Sequence, residues 1–143
     1  MFKDLNLPKI QDNSSYPPVG EVKKGIHYKF FIEQFDQAPE RLKQTFLNIR
    51  DYINSLGDDI KENQLRYYVA YKKARNIVCI QIHQRKILVY LRLDPDAVEL
   101  EDNFIDDVRD VGHCGTGDLK LTIKSNEDFE KVKYLIDRAY YEN

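Results

Sequence analysis

The chain has 143 residues, 22 Lys and Arg against 24 Asp and Glu, a formal net charge of -2 and two cysteines. That length suits one domain with a real core, and the near-balanced charge excludes an overall electrostatic grip on nucleic acid or anionic lipid while leaving room for a local basic patch. No apolar run reaches the length of a membrane span, the N-terminal MFKDLNLPKIQD lacks the apolar core of a secretory signal, and two cysteines make no disulfide scaffold, so a cytoplasmic protein with free thiols is expected.

Residues 1–25 read as an irregular N-terminal arm, because Pro8, Ser14, Ser15, Pro17, Pro18, Gly20 and Gly25 interrupt any periodicity. A single α+β domain is expected over 26–143. The aromatic segment Ile26–Phe35 fits a strand or a short helix. A helix is expected over Pro39–Leu56, since Leu42, Phe46, Ile49, Ile53 and Leu56 recur at spacings of four and three. Gly57 is its expected left-handed stop. Strands follow at Leu65–Tyr71, Asn76–Ile82 and Lys86–Leu93, joined by the short polar connectors Lys72–Arg75 and His83–Arg85 as an antiparallel meander. The acidic connector 94–110 is expected to hold a helical turn at Ala97–Leu100 or Asn103–Val108. A strand at Asp118–Lys124 alternates Leu119, Leu121 and Ile123, and Ser125 caps a last helix whose stripe is Phe129, Val132, Leu135, Ile136 and Ala139. Two helices with one apolar face each, and a sheet that needs a cover, imply a two-layer domain: an antiparallel sheet of about five strands with both helices on one face.

The chemistry concentrates in Asp110–Asp118, DVGHCGTGD. Gly112 and Gly117 have the spacing of a phosphate-binding P-loop, but Asp118 and Leu119 stand where Lys and Ser/Thr belong, and the loop leads into a strand rather than a helix. As metal ligands, the adjacent His113 and Cys114 diverge, while Cys79 and His83 lie about 13 Å apart along one strand, too far to share an ion. A Cys114 nucleophile needs a histidine within hydrogen-bond reach, which adjacency to His113 does not supply. The residues favour a tight turn, with Gly112, Gly115 and Gly117 permitting positive φ and His113 packing on the sheet end.

Elsewhere, Lys72, Lys73 and Arg75 sit at a hairpin tip with Tyr67, Tyr68 and Tyr71 leading into it, and Arg92 returns to the same end of the sheet. Cations beside aromatic rings suit phosphate contact and base stacking; a solvated tip is the plainer alternative. Asp94 and Asp96 begin like an EF-hand loop, but Val98 and Glu99 break the match. Asp118-Leu-Lys120 superficially fits the last element of a metal-dependent nuclease motif, with Asp107 or Asp110 upstream.

Several segments together resemble a family of small bacterial and archaeal domains of unknown function often labelled "predicted transport protein". They are Ser55-Leu-Gly57-Asp58, Tyr68-Val-Ala-Tyr71-Lys72 through Asn76, Leu88-Val-Tyr-Leu91 before Asp94, and Gly112-His113-Cys-Gly-Thr-Gly117-Asp118. The resemblance covers roughly residues 30–142, and the glycine motif is its most specific part. Members carry an aromatic residue after the histidine, where this chain has Cys114. They also occur joined to nuclease-like or restriction-type domains, which implies a role beside nucleic acid.

The leading expectation is a non-enzymatic accessory or binding module of a nucleic-acid-related system, its surface drawn from Tyr71, Lys72, Lys73, Arg75, Asn76, Arg92, His113, Gly117 and Asp118. No cofactor, metal or catalytic residue is assigned. The expected partners are nucleic acid or a nuclease-type protein. One alternative is a metal-dependent hydrolase using Asp110, His113, Asp118 and Lys120. Another is a homo-oligomeric interaction protein joined through the N-terminal arm.

Overall fold

The computed structural model describes residues 30–113 and 115–143, so the arm expected over 1–25 lies outside the described residues. Three helices, α1 (Phe31–Gln37), α2 (Glu40–Ser55) and α3 (Asn126–Tyr141), pack on a sheet of β1 (Lys61–Gln64), β2 (Val69–Lys72), β3 (Asn76–His83), β4 (Lys86–Leu91), β5 (Ile105–Asp107) and β6 (Leu119–Ile123). The strand order is β1-β2-β3-β4-β6-β5. Every neighbouring pair is antiparallel. The expected two-layer α+β architecture therefore holds, with six strands among the described residues where about five were expected.

The differences have local causes. The described part of the aromatic segment Ile26–Phe35 enters α1, whose Phe31 and Phe35 bury against Phe46 of α2, with ring centroids 5.4 and 5.7 Å away. The alternation in Leu65–Tyr71 is not one strand. Leu65 N donates to Tyr68 O at 2.8 Å, which closes a turn and separates β1 from β2. In the acidic connector a single 3-10 turn forms at Pro95–Ala97, and residues 105–107 add an edge strand instead of a helical turn. Asn103 stands at φ 64 in the turn before β5, and Glu101 bridges Ile105. Gly57 does follow α2, but it is not in the left-handed region. Its missing side chain instead makes room for Tyr140 of α3, because a Cβ there would lie 2.0 Å from the Tyr140 hydroxyl.

The last helix starts as its sequence requires. Ser125 Oγ accepts from Asp128 N at 3.2 Å, and Asp128 Oδ2 accepts in return from Lys124 N at 2.9 Å. Two otherwise orphaned amides are thus satisfied reciprocally, one residue earlier than a capping box would place the second.

The sheet has two unequal faces. The helix side buries Val69, Tyr71, Ile80, Ile82, Val89, Leu91, Leu121 and Ile123 against Leu42, Phe46, Ile49, Val132 and Ile136. The other side holds a smaller cluster of Ala70, Cys79, Leu88 and Tyr90, flanked by Leu65, Tyr68 and Val108. This second face decides where the glycine loop can go.

Candidate functional site

The glycine loop folds back across the second face. His113 lies flat on Tyr90, with ring centroids 4.2 Å apart and planes within 3°. Thr116 N donates to Cys79 Sγ at 3.4 Å. Two glycines make this approach feasible. A Cβ on Gly115 would meet Cys79 Cβ at 2.7 Å, and one on Gly117 would meet the Leu91 carbonyl oxygen at 2.8 Å. Both have positive φ, +82° and +132°. The loop thus makes a turn, as its residues favour, and also roofs part of the sheet.

Cys79 is buried beneath that roof. Desolvation pushes its thiol pKa up, against smaller opposing effects from Thr116 and the Arg92 charge. A thiolate is the reactive form, so this cysteine should be inert in the folded protein. In a Cys114→Ser variant, whose remaining thiol is Cys79, labelling by a thiol-specific disulfide reagent should be slow under native conditions and rapid in denaturant. Equal rates in the two conditions would contradict the buried thiol.

Most residues assigned to a binding surface meet at one end of the sheet. β2 leaves there at Lys72 and β3 enters at Asn76; β4 ends there at Leu91, and β6 begins there at Leu119. Lys72, Lys73, Arg75, Asn76, Arg92, Gly117 and Asp118 share that end in consequence. Lys72 and Arg75 are exposed. Lys73 is engaged, its Nζ 2.9 Å from Tyr140 O and 4.2 Å from the centre of the Tyr140 ring. A cation on a carbonyl of the last turn of α3 is favourably placed against the helix dipole. Asn76 contributes its carbonyl oxygen, which accepts from Arg92 Nε at 2.9 Å.

Two assigned residues lie elsewhere. Tyr71 faces the helices and is fully buried, its hydroxyl donating to Glu62 Oε2 at 2.7 Å. His113 sits on the second face over Tyr90. Asp110, His113 and Asp118 of the hydrolase set do not come together as an ion site. Lys120 pairs with Tyr90 in register, and Asp110 is in an exposed turn. Among the described residues no group of three His, Cys, Asp or Glu side chains comes together to hold a metal ion.

Two participants escaped sequence reasoning. Lys61 opens β1 directly opposite Lys72, and both are exposed. The polar KENQ segment has no alternation to mark it as a strand, so its register with Lys72 was invisible. Arg109 gathers three carboxylates, at 2.7 Å from Asp107, 3.0 Å from Asp96 and 3.8 Å from Asp94. Its hydrogen bonds hold the Asp96 and Asp107 carboxyls below the usual carboxylate range. Beside this cluster Arg92, Asp94, Arg109, Gly117, Asp118 and Asn143 help line a cleft of about 420 Å³.

An antiparallel sheet with helices on one face, a glycine loop roofing the other and charged residues converging at one end define a small α+β domain. The chain belongs to the family described as "Domain of unknown function (DUF5655)", matched over residues 32–143. An uncharacterized protein of Haemophilus influenzae is 31% identical over 145 residues, covering 94% of this chain and 48% of the relative. The chain thus spans about half the length of that relative. No solved structure matches. No helix among the described residues is long and apolar enough to cross a membrane.

Proposed function

We propose that this domain is a non-enzymatic binding module of a cytoplasmic, nucleic-acid-related system, and that the corner formed by Lys61, Lys72 and Arg75 is its phosphate-contacting surface. One observation carries the reading. Lys61 and Lys72 stand directly opposite each other on neighbouring strands, and neither, nor Arg75, has an ion-pair partner among the described residues. Like charges in that relation destabilise a sheet, and a bound polyanion relieves the repulsion. Arg92 extends the line of cations along the same end. The resemblance to domains that occur joined to nuclease-like or restriction-type domains points the same way, by association alone. The metal-dependent hydrolase is not favoured, because Asp110, His113 and Asp118 form no group able to hold a metal ion. A dimer through the arm concerns residues outside those described.

The test is fluorescence anisotropy of labelled single- and double-stranded nucleic acid, titrated at low and raised salt. Binding should weaken with salt, and Lys72→Ala/Arg75→Ala should weaken it across all sequences. The double variant should flatten the salt slope by about 0.9 for each duplex phosphate it no longer neutralises. Absence of binding at low salt, or an unchanged slope in the double variant, would overturn the reading. Lys73 is a poor first choice for substitution because it also ties α3 to the sheet.

A further inference from the structure

We propose that the cleft between Arg92 and Asp118 binds a small compound bearing both a carboxylate and an ammonium group, of the α-amino-acid class. The β4–β6 ladder ends at Leu91 opposite Leu119, so the next station sets Arg92 opposite Asp118. Oppositely charged side chains at such a station are expected to pair. Here no ion pair joins them, and each lines the same cleft. The cation and the anion both border a space of about 420 Å³, near the lower end of the volumes that small-molecule sites occupy.

Arg92 is held ready rather than loose. Its N donates to Ile77 O at 3.0 Å, its Nε to Asn76 O at 2.9 Å, and its own carbonyl accepts from Asn143 Nδ2 at 2.9 Å. The two Nη groups have no partner among the described residues. A guanidinium fixed through Nε, with both terminal nitrogens to offer, matches the two oxygens of a carboxylate. Asp118 is also anchored through its backbone, whose carbonyl accepts from Val108 N at 2.8 Å. Its carboxylate is exposed and has no partner among the described residues.

The remaining charges of the wall are already answered. Arg109 is taken by Asp96 and Asp107, and Glu142 by Arg138 at 2.6 Å. What is left is the cation Arg92 and the carboxylate Asp118; Asp94, 3.8 Å from Arg109, adds to the acidic side of the cleft. A dianionic phosphate would meet the two aspartates, and a simple cation would meet Arg92. A carboxylate and an ammonium on one small skeleton satisfy both walls. The site does not rest on the nucleic-acid reading, since Lys72 and Arg75 do not line the cleft.

The experiment is calorimetric titration of the full chain with a mixture of free L-α-amino acids, then with its members singly, near neutral pH. A free amino acid should bind, and its N-acetyl and methyl-ester derivatives should each bind at least about tenfold more weakly. Arg92→Gln should abolish binding. Asp118→Asn alters only an exposed carboxylate and keeps the backbone hydrogen bond. It should erase the preference for the free amino acid over its N-acetyl derivative, which remains interpretable if Arg92→Gln fails to fold. The proposal falls if no member binds, if the blocked derivatives bind as well as the free form, or if Asp118→Asn keeps the wild-type preference.

Discussion

Gly117→Ala should destabilise the domain by about 2–4 kcal/mol. Two costs combine. The residue stands at φ +132°, where side-chain-bearing residues are strained, and the new Cβ would lie 2.8 Å from Leu91 O and 2.9 Å from Leu91 N and C. Those are backbone atoms of β4, paired to β3 on one side and to β6 on the other, so they yield only if a central ladder yields. Gly57→Ala is the instructive contrast. Its Cβ would come even closer to a neighbour, but that neighbour is the end of the Tyr140 side chain, and Gly57 has ordinary φ. Tyr140 can swing away at the loss of its 2.6 Å hydrogen bond to Asp59. Urea unfolding of both variants, followed by far-UV circular dichroism, gives the comparison. A Gly117→Ala midpoint equal to wild type, or above that of Gly57→Ala, would contradict the packing of the loop on β4.

The second large effect belongs to Glu62. Arg50 of α2 donates to it from Nε at 2.8 Å and Nη2 at 3.0 Å, while Tyr71 donates to the same Oε2 that Nε reaches. The two charged side chains are only 18% and 9% exposed. Glu62→Ala would remove the Glu62 charge from a largely buried guanidinium and the acceptor from a fully buried hydroxyl. The expected loss is about 2–4 kcal/mol, near the low end for a broken buried pair because Arg50 still touches water. Replacing the whole set, Arg50→Met/Glu62→Leu/Tyr71→Phe, should recover most of that loss, since burial of the pair already costs much of what the attraction returns. If the triple variant is less stable than Glu62→Ala, the cluster contributes net stability.

Tyr71 gives this region a pH signature. Burial, then the Glu62 charge and hydrogen bond, raises its pKa well above the ordinary value. The unfolded chain sheds the tyrosine proton near pH 10 while the folded chain holds it, so this contribution is complete below that pH and declines above it. The slope is about 1.4 kcal/mol per pH unit. Urea midpoints measured on either side of about pH 10 should fall more steeply in wild type than in Tyr71→Phe.

Those parts of the fold with strong periodicity were legible in the residues. The stripes of α2 and α3, the apolar runs of β3 and β4 and the alternation of β6 each had to face a core, and they do. β1 and β5 were not legible, because Lys61–Gln64 and Ile105–Asp107 are short, mostly polar edge strands, each paired with one strand and lacking an alternation long enough to read. Tyr71 shows a further limit. Alternation reveals that it shares a face with Val69, but not which of two faces is the helical one. The convergence of Lys72, Arg75 and Arg92 followed from the meander alone, whereas Asp118 joins them only through the pairing of β6 with β4. The stack of His113 on Tyr90 did not, because it needs a loop to cross a face from one strand end, and no local spacing encodes that path.

The order β4-β6-β5 has a consequence for how the chain comes together during synthesis. A nascent chain that has emerged as far as Gly117 can close the meander β1 to β4, but β4 then shows a bare outer edge and β5 has no strand to join. The residues that cure both defects arrive last, when β6 slots between two strands already made. Until then the edge of β4, with Ile87, Val89 and Leu91 still lacking α3 as a cover, is the surface on which two unfinished chains would meet. The acidic stretch 94–110 is the waiting segment. Its eight carboxylates against one arginine are the kind of charge that keeps such chains apart.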